Sequence, residues 1–242
     1  MEEITSEFEY EFSFLFKDGK EKRVKVRIDE KTLNIIRPSI KVPPKWTEIS
    51  NFKCPHCPID KNKFKYCPLA VNLNDVISDF TEFHSYDDVE VIIHTNARTY
   101  YKHTSLQNGL GSLLGIVMVA NDCPTMGKLK PMMRYHLPFA TLEETDYRVL
   151  SMYLLAQYVI AKKGGEPDWE MNNLKDLYEE IKLLNQNVCR HLAEIESKDA
   201  IVNAVVTLNS FAEHVTFLLS KNMMQRLEIL FKDYLKESVI KE

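Results

Sequence analysis

Residues 8–28, FEYEFSFLFKDGKEKRVKVRI, decide the β part of the fold. In the first half of this stretch, aromatic residues alternate with mostly polar ones, which is the period of a strand that buries one face. After KDGK the alternation resumes with two valines and an isoleucine. The pattern predicts a β-hairpin with a three-residue loop, in which Gly19 adopts the left-handed conformation and Phe14 lies opposite Val24.

The composition is that of a protein with a substantial hydrophobic core. Of the 242 residues, 45% are hydrophobic and 27% are charged, which is ordinary for a globular domain. The net charge of −4 argues against a general nucleic-acid binder, which usually has an excess of basic residues. The acidic first residues lack the pattern of a secretory signal, and the longest apolar run, 113–120, is too short to cross a bilayer. We therefore expect a cytoplasmic protein with no nucleic-acid or membrane partner.

The whole chain, 1–242, is predicted to form one α+β domain with three parts. Residues 1–37 form the β-hairpin, which joins a small sheet. Residues 38–140 supply a metal-binding loop, a strand and a glycine-containing helix. Residues 141–242 form an antiparallel helical bundle, because long amphipathic segments with short links favour that arrangement.

Capping signals and apolar stripes indicate the bundle. Thr141 and Glu144 fit a capping box ahead of a helix that stops at Gly164-Gly165, and Asp168 marks the start of the next helix. Two apolar stripes with three- and four-residue spacing follow: Leu174, Leu177, Ile181, Leu184, Val188 and Leu192, and then Ile201, Val205, Leu208, Phe211, Val215 and Leu218. If these stripes continue across a subunit interface, the C-terminal helices form a homodimer.

The middle of the chain begins with an irregular segment. Six prolines in residues 38–70 leave little room for regular structure. After it we expect a short helix over 74–83 and a buried strand over 88–95. A longer helix is predicted from Ser105 to about Ala120, and its three glycines are expected to allow another backbone to approach closely.

Four of the five cysteines are followed by proline. Cys54, Cys57 and Cys67 lie in FKCPHCPIDKNKFKYCPLA, residues 52–70, and Cys123 has the same neighbour. Proline fixes the direction of the chain after each thiol and removes one backbone N–H group. Clustered cysteines in a reducing compartment are more often metal ligands than disulfides. The pattern predicts a four-cysteine metal site that ties the Pro-rich loop to the end of the glycine-containing helix.

Several alternatives are open for this site. Zinc suits a structural clamp in an irregular loop, whereas a 4Fe–4S cluster also takes four cysteines, and zinc is the preferred interpretation. His56 or His84 could replace Cys123 as the fourth ligand. The cysteines could also be free buried thiols, because cysteine is among the most buried residue types. Cys189, which lies in mid-helix without a proline, is interpreted as core packing.

Basic residues in two polar segments could form an anion-binding pocket. The segment after the buried strand holds Arg98 and Lys102 and is predicted to be a loop. Residues 130–140 are bounded by prolines and are predicted to be extended, which puts Arg134 and His136 on one side. The four groups could hold the carboxylate or phosphate of a small anionic ligand. A structural role, with bonds to acidic residues or helix C-termini, is the favoured interpretation.

Four segments of the chain resemble a bacterial family that is known as a domain of unknown function. They are CPHCP…YCPLA, RTYYKHTSLQNGLGSL, PMMRYHLPFA and SMYLLAQY. The resemblance covers about residues 50–215. It implies that these segments belong to one architecture, and it implies no activity.

Three function hypotheses follow from the sequence. The first is a metal-stabilised binding or regulatory protein with four structural cysteines, which predicts a closed site. The second is an iron–sulfur redox protein or an enzyme with the Arg/His pocket, which predicts a polar pocket near the metal or an open coordination position. The third is a helical dimerisation scaffold.

Overall fold

The computed structural model of the chain describes residues 6–37, 42–195, 198–220 and 223–239. Within these ranges it contains four strands, β1 (Glu7–Phe16), β2 (Glu21–Asp29), β3 (Asp88–Thr95) and β4 (Thr99–Ser105). The same ranges contain eight α-helices: α1 (Pro68–Phe80), α2 (Leu106–Val117), α3 (Lys130–Arg134), α4 (Leu142–Lys162), α5 (Asn172–Ile195), α6 (Ala200–Ser220), α7 (Met223–Leu230) and α8 (Lys232–Val239). Two 3-10 turns lie at Lys45–Thr47 and Met126–Leu129. The α+β fold class predicted from the sequence is confirmed.

The strands form one antiparallel sheet in the order β2-β1-β3-β4. The loop between β1 and β2 has three residues, because the N–H of Phe16 donates to the carbonyl of Lys20 at 2.9 Å. Gly19 has a φ of 84°, so it takes the left-handed conformation that was predicted. The alternating aromatic side chains of β1 are buried, and they are Phe8, Tyr10, Phe12 and Phe14.

The register of this hairpin differs from the prediction by two residues. Phe12 lies opposite Val24, and Phe14 lies opposite Lys22. The expected pairing of Phe14 with Val24 is wrong because the loop is centred on Asp18, one position earlier than that pairing requires. The shift of two keeps every side chain on its predicted face, since the period of a strand is two.

Helix α2 packs against the sheet at one glycine. A Cβ at Gly109 would lie 2.8 Å from Val91 Cγ2 and 2.9 Å from Phe14 Cε1. The close approach expected of the glycines therefore occurs here, but side chains of the sheet make it rather than another backbone. The helix begins after Ser105, as predicted, and ends at Val117, shortly before the expected end.

The predicted helix over 74–83 exists with different bounds, since α1 begins at Pro68 and ends at Phe80. Proline is tolerated in the first turn of a helix, where its missing N–H would have no partner. The helix covers the sheet through Phe80, whose ring centroid lies 5.1 Å from that of Phe14. The buried strand over 88–95 is confirmed as β3.

Two other predictions for the middle of the chain are wrong. The polar segment after β3 is not a loop, because Thr99–Ser105 forms the edge strand β4. Residues 130–140 are not extended throughout, because Lys130–Arg134 forms α3. As a result Met133 is buried and Tyr135 is 78% exposed, although an extended chain would put both on one side.

The helical half begins with the predicted capping box. Thr141 accepts a hydrogen bond from the backbone N–H of Glu144, whose carboxylate accepts one from the backbone N–H of Thr141. Helix α4 then runs to Lys162 and is followed by Gly164 with a φ of 80°. Asp168 accepts hydrogen bonds from the N–H groups at the start of α5, so it caps that helix.

Helices α5 and α6 pack together through the two predicted stripes. All six stripe residues of α5 are buried: Leu174, Leu177, Ile181, Leu184, Val188 and Leu192. In α6 four are buried and two are partly buried, namely Ile201, Val205, Val215 and Leu218, and then Leu208 and Phe211. Both stripes are thus used for packing within the chain.

Among the described residues, α6 is the one helix long and apolar enough to cross a membrane, with a mean hydropathy of 1.2 over Ala200–Leu219. Its stripe packs against α5 and α2. On its other side, His214 Nε2 lies 3.0 Å from Asp146 Oδ2 of α4. We therefore interpret α6 as a core helix of the bundle.

Candidate metal centre

Four cysteines line one small cavity between the start of α1, the chain after α2, and α5. Cys54, Cys57, Cys67 and Cys123 share a space of about 20 Å³. The rest of its lining is apolar: Ile49, Phe52, Ile59, Leu69 and Leu184. These cysteines come from three separate parts of the chain, and none of them forms a disulfide.

The first two cysteines lie in a tight turn that is anchored at its far end. The N–H of Cys57 donates to the carbonyl of Cys54 at 3.0 Å. Two backbone bonds fasten the following loop to the 3-10 turn, from Cys67 to the Thr47 carbonyl at 2.8 Å and from Ile49 to the Lys65 carbonyl at 2.9 Å. The Pro-rich segment is therefore ordered by local turns and a short bridge rather than by long strands.

Cys67 occupies the N-cap of α1, and Pro68 is the first helical residue. Burial raises the pKa of the Cys67 thiol to about 11, while the backbone N–H groups of Ala70 and Leu69 act in the opposite direction. The thiol makes no cap hydrogen bond of normal geometry, so these N–H groups act on the sulfur mainly as oriented dipoles at the helix N-terminus. They favour a thiolate at this position.

Cys123 follows the end of α2 and is held by a buried asparagine. The Asn121 side chain accepts a hydrogen bond from the N–H of Cys123 at 2.9 Å and donates to the Met118 carbonyl at 2.9 Å. Nearby, Thr125 donates its hydroxyl proton to Glu180 of α5 at 3.2 Å. Burial raises the pKa of Cys123, again against the effect of backbone N–H groups in the following turn.

A buried asparagine of α5 contacts the site from the opposite side. Asn187 Nδ2 donates to Cys54 Sγ at 3.6 Å, and Asn187 Oδ1 accepts a hydrogen bond from Arg190 at 2.6 Å. The guanidinium polarises the amide, which strengthens its donor end toward the sulfur. Asn187 was not identified from the sequence. Its position between two stripe residues of an amphipathic helix gives no signal of such a role.

The environment favours neutral thiols unless a cation is bound. Burial, followed by repulsion from the other three sulfurs, raises the pKa of Cys54 to about 12. No lysine or arginine is among the described residues that line the cavity. A bound divalent cation would favour the thiolates instead, because metal binding deprotonates a coordinating thiol.

The thiols share the cavity without yet forming a coordination geometry. In the part of the chain that the structure describes, no three His, Cys, Asp or Glu side chains are already arranged to hold a metal ion. Binding would therefore require the sulfurs to move toward a common centre by side-chain rotation and small loop shifts. The donor set itself, four cysteines in an apolar enclosure, is the set that structural zinc sites use.

A family model for a domain of unknown function (DUF6901) matches residues 8–232. The chain belongs to this family. The match spans the sheet, the four cysteines and the helical half. The DUF6901 domain therefore includes residues 50–215, which carry the resemblance seen in the sequence, and also the β-hairpin before them. No curated protein and no solved structure is significantly similar to the chain.

The two histidines that could replace Cys123, and the fifth cysteine of the DUF6901 domain, lie elsewhere. The His84 ring stacks on Tyr86, and its Nε2 lies 3.1 Å from Lys198 Nζ. His84 does not line the cysteine cavity. His56 has a buried Nδ1 without a hydrogen-bond partner, but it does not line the cavity either. Cys189 is partly buried against the core, with its sulfur 3.9 Å from the Val202 carbonyl of α6.

The structure brings together three of the four residues predicted for the anion pocket. Arg98, Arg134 and His136 line a surface cleft of about 480 Å³, together with Arg148. Lys102 lies outside this cleft and lines a neighbouring cavity instead.

Most of the cleft's charges already have partners. Arg134 Nη2 lies 3.3 Å from Glu30 Oε1, and its guanidinium stacks 4.1 Å from the Phe8 ring centroid. Arg148 Nη2 donates to the carbonyls of Met132 and Tyr135 at 2.8 and 2.9 Å. These contacts agree with the structural interpretation of the basic residues.

Proposed function

We propose that the chain is a zinc-binding protein in which Cys54, Cys57, Cys67 and Cys123 hold one structural Zn²⁺. The main support is that these four thiols, which come from three parts of the chain, line one apolar cavity. The protein would act as a cytoplasmic binding or regulatory module, because a reducing compartment keeps such thiols available for metal.

The size of the cavity supports a single ion. About 20 Å³ is close to the space of one water-sized sphere. A 4Fe–4S cluster adds four irons and four sulfides between the cysteines, which would require the walls to move much further apart. Four thiolates also complete the tetrahedral shell of zinc and leave no open position, which is typical of a structural rather than a catalytic site.

When bound, the ion would supply a cross-link between the Pro-rich loop, the start of α1 and the end of α2. The chain's own groups are arranged to support the thiolates. Asn187 donates to the sulfur of Cys54, and backbone N–H groups oppose the rise in the pKa of Cys67 and of Cys123. Such surrounding donors balance part of the negative charge that four thiolates bring.

Dimerisation through α5 and α6 has less support. All six residues of the α5 stripe and four of the six of the α6 stripe are buried inside the chain, so most of the two stripes is not available to a second subunit. Large exposed apolar side chains lie on the outer faces of these two helices, for example Leu183 on α5 and Phe217 on α6, and on other helices, for example Leu155 and Tyr158 on α4 and Ile229 on α7. The prediction of a homodimer stays a prediction, and it would have to use these surfaces.

Metal analysis combined with an absorption spectrum of anaerobically purified protein tests the proposal. The expected result is about one zinc per chain and no visible charge-transfer band. Iron with acid-labile sulfide and visible absorption would show that the same cysteines hold an iron–sulfur cluster instead of zinc. Protein without bound metal that also fails to take up added Zn²⁺ would contradict metal binding altogether.

A further inference from the structure

A second and larger cavity lies between α2, the residues that follow it and the helical half, away from the cysteines. It measures about 310 Å³ and is bounded by α2, the α3 region, α5 and α6. Its walls are mainly apolar and include three methionines, Met126, Met132 and Met133. Cavities of about 300–1,000 Å³ with apolar walls and a few polar groups are typical of small-molecule sites.

Two glycines on one face of α2 leave this space open. A Cβ at Gly111 would meet no atom within 4 Å, and a Cβ at Gly115 would lie 3.3 Å from His136 Cε1. Both glycines line the cavity. Glycine is unfavourable inside a helix. Two glycines four residues apart beside the same open space therefore indicate that the space itself has a use.

Two buried polar atoms in the cavity wall have no hydrogen-bond partner. Asn185 is 2% exposed, and its Oδ1 is buried without a partner. His136 Nε2 is also buried without a hydrogen-bond partner, and both residues line the cavity. Leaving such atoms unpaired is unfavourable in a folded protein, so each of them is a position where a bound molecule would form a hydrogen bond.

The polar atoms indicate the chemistry of the ligand. Burial, with a smaller effect of Arg148, lowers the pKa of His136 to about 3, so the imidazole is neutral. Asn185 Oδ1 can only accept a hydrogen bond. The nearby Arg148 Nη2 already binds two backbone carbonyls, and the Lys102 ammonium lies 5.5 Å from the Phe139 ring centroid. The buried acceptor Asn185 Oδ1 therefore requires a donor, and the two cationic side chains of the wall already have other contacts, so the site does not favour an anion.

We propose that this cavity binds a compact, mostly apolar, uncharged molecule whose hydroxyl or N–H group donates to Asn185 Oδ1, with His136 Nε2 as the position for a second hydrogen bond. The apolar body of the molecule lies in the space next to Gly111. The site is separate from the cysteine cavity, and the proposal does not depend on the metal.

Three matched probes test the chemistry on the full-length protein as purified. They are 1-naphthol, which has a donor, naphthalene, which has none, and 1-naphthoate, which is an anion. Titration followed by ligand-observed NMR or calorimetry is expected to show that 1-naphthol binds about tenfold more tightly than the other two. Equal affinities for 1-naphthol and naphthalene, tighter binding of naphthoate, or no binding of any probe would overturn the proposal.

Variants with matched controls place the probe in this cavity. Gly111→Leu should abolish binding because its side chain fills the open space, whereas Gly111→Ala adds only a methyl group and should bind as the wild type does. Asn185→Leu should reduce the affinity for 1-naphthol to that for naphthalene. If folded Gly111→Leu protein binds 1-naphthol normally, the probe lies elsewhere and the assignment is wrong.

Discussion

Asn187 of α5 donates a side-chain hydrogen bond to the sulfur of Cys54, with 3.6 Å between Nδ2 and Sγ. The two residues are 133 positions apart in the chain. This bond joins α5 to the Pro-rich loop at the proposed metal centre. Asn187 is itself held by Arg190, so its orientation is fixed before any metal binds.

From this bond we predict that Asn187 strengthens metal binding without being a ligand. Asn187→Leu should weaken zinc binding about 10-fold, in the range found when groups that support ligands are removed. The number of zinc ions per chain should stay the same. Competition with a chromophoric chelator measures the affinity.

Asn185→Leu is the matched control for this variant. Asn185 lies two positions earlier on α5 and is as deeply buried, but it lines the other cavity. Its replacement should leave zinc affinity unchanged. Equal losses in both variants would mean that the effect comes from a general loss of packing in α5.

Two neighbouring glycines of α2 are predicted to respond in opposite ways to alanine. Gly109→Ala should lower the free energy of unfolding by about 1–3 kcal/mol, because the new methyl group would overlap Val91 and Phe14. Gly111→Ala should raise it by about 1 kcal/mol through helix propensity, since a Cβ there meets nothing within 4 Å. Urea unfolding of both variants measures the difference. A stabilising Gly109→Ala would show that α2 does not approach the sheet this closely.

The capping box of α4 predicts a modest and specific loss. Thr141→Ala removes the side chain that accepts a hydrogen bond from the Glu144 N–H and should destabilise the protein by about 1 kcal/mol. Thr141→Ser keeps the hydroxyl and should behave almost as the wild type. The measurement is again denaturant unfolding, and similar losses in both variants would argue against the cap.

The sequence was sufficient for the features that depend on local pattern. The left-handed Gly19, the buried strand β3, the capping box and both apolar stripes follow from periodicity and turn chemistry, which operate within a few residues. The Cys-Pro repeat also grouped Cys123 with three cysteines far from it. That grouping agrees with the shared cavity, although metal binding itself stays a prediction.

The features that the sequence did not predict depend on tertiary context. Strand β4 lies at the edge of the sheet and is mostly exposed, so it lacks an alternating pattern. In the sequence Pro68 and Pro131 indicate breaks in regular structure, but both lie in the first turns of helices. Asn187 contacts the site because of how α5 packs. Single-sequence periodicity does not determine that packing.

Removing the metal should loosen one part of the protein more than the rest. Chelator treatment is expected to lower the thermal midpoint and to expose residues 42–67 to limited proteolysis, because that segment has few backbone ladders of its own. Helices α5 and α6 should stay protected, since their stripes pack independently of the ion. The same treatment of Cys54→Ser protein, which has already lost the site, should change little. Equal cleavage before and after chelation would contradict a structural clamp.

The zinc content of wild-type, Cys123→Ser and Cys189→Ser proteins shows whether the four cysteines bind one ion together. Each is purified in the same way and analysed for metal per folded chain. We expect about one zinc per chain in the wild type and in Cys189→Ser, and a clear loss in Cys123→Ser. Undiminished zinc in Cys123→Ser would show that Cys123 is not a ligand and that the four cysteines do not form one zinc site.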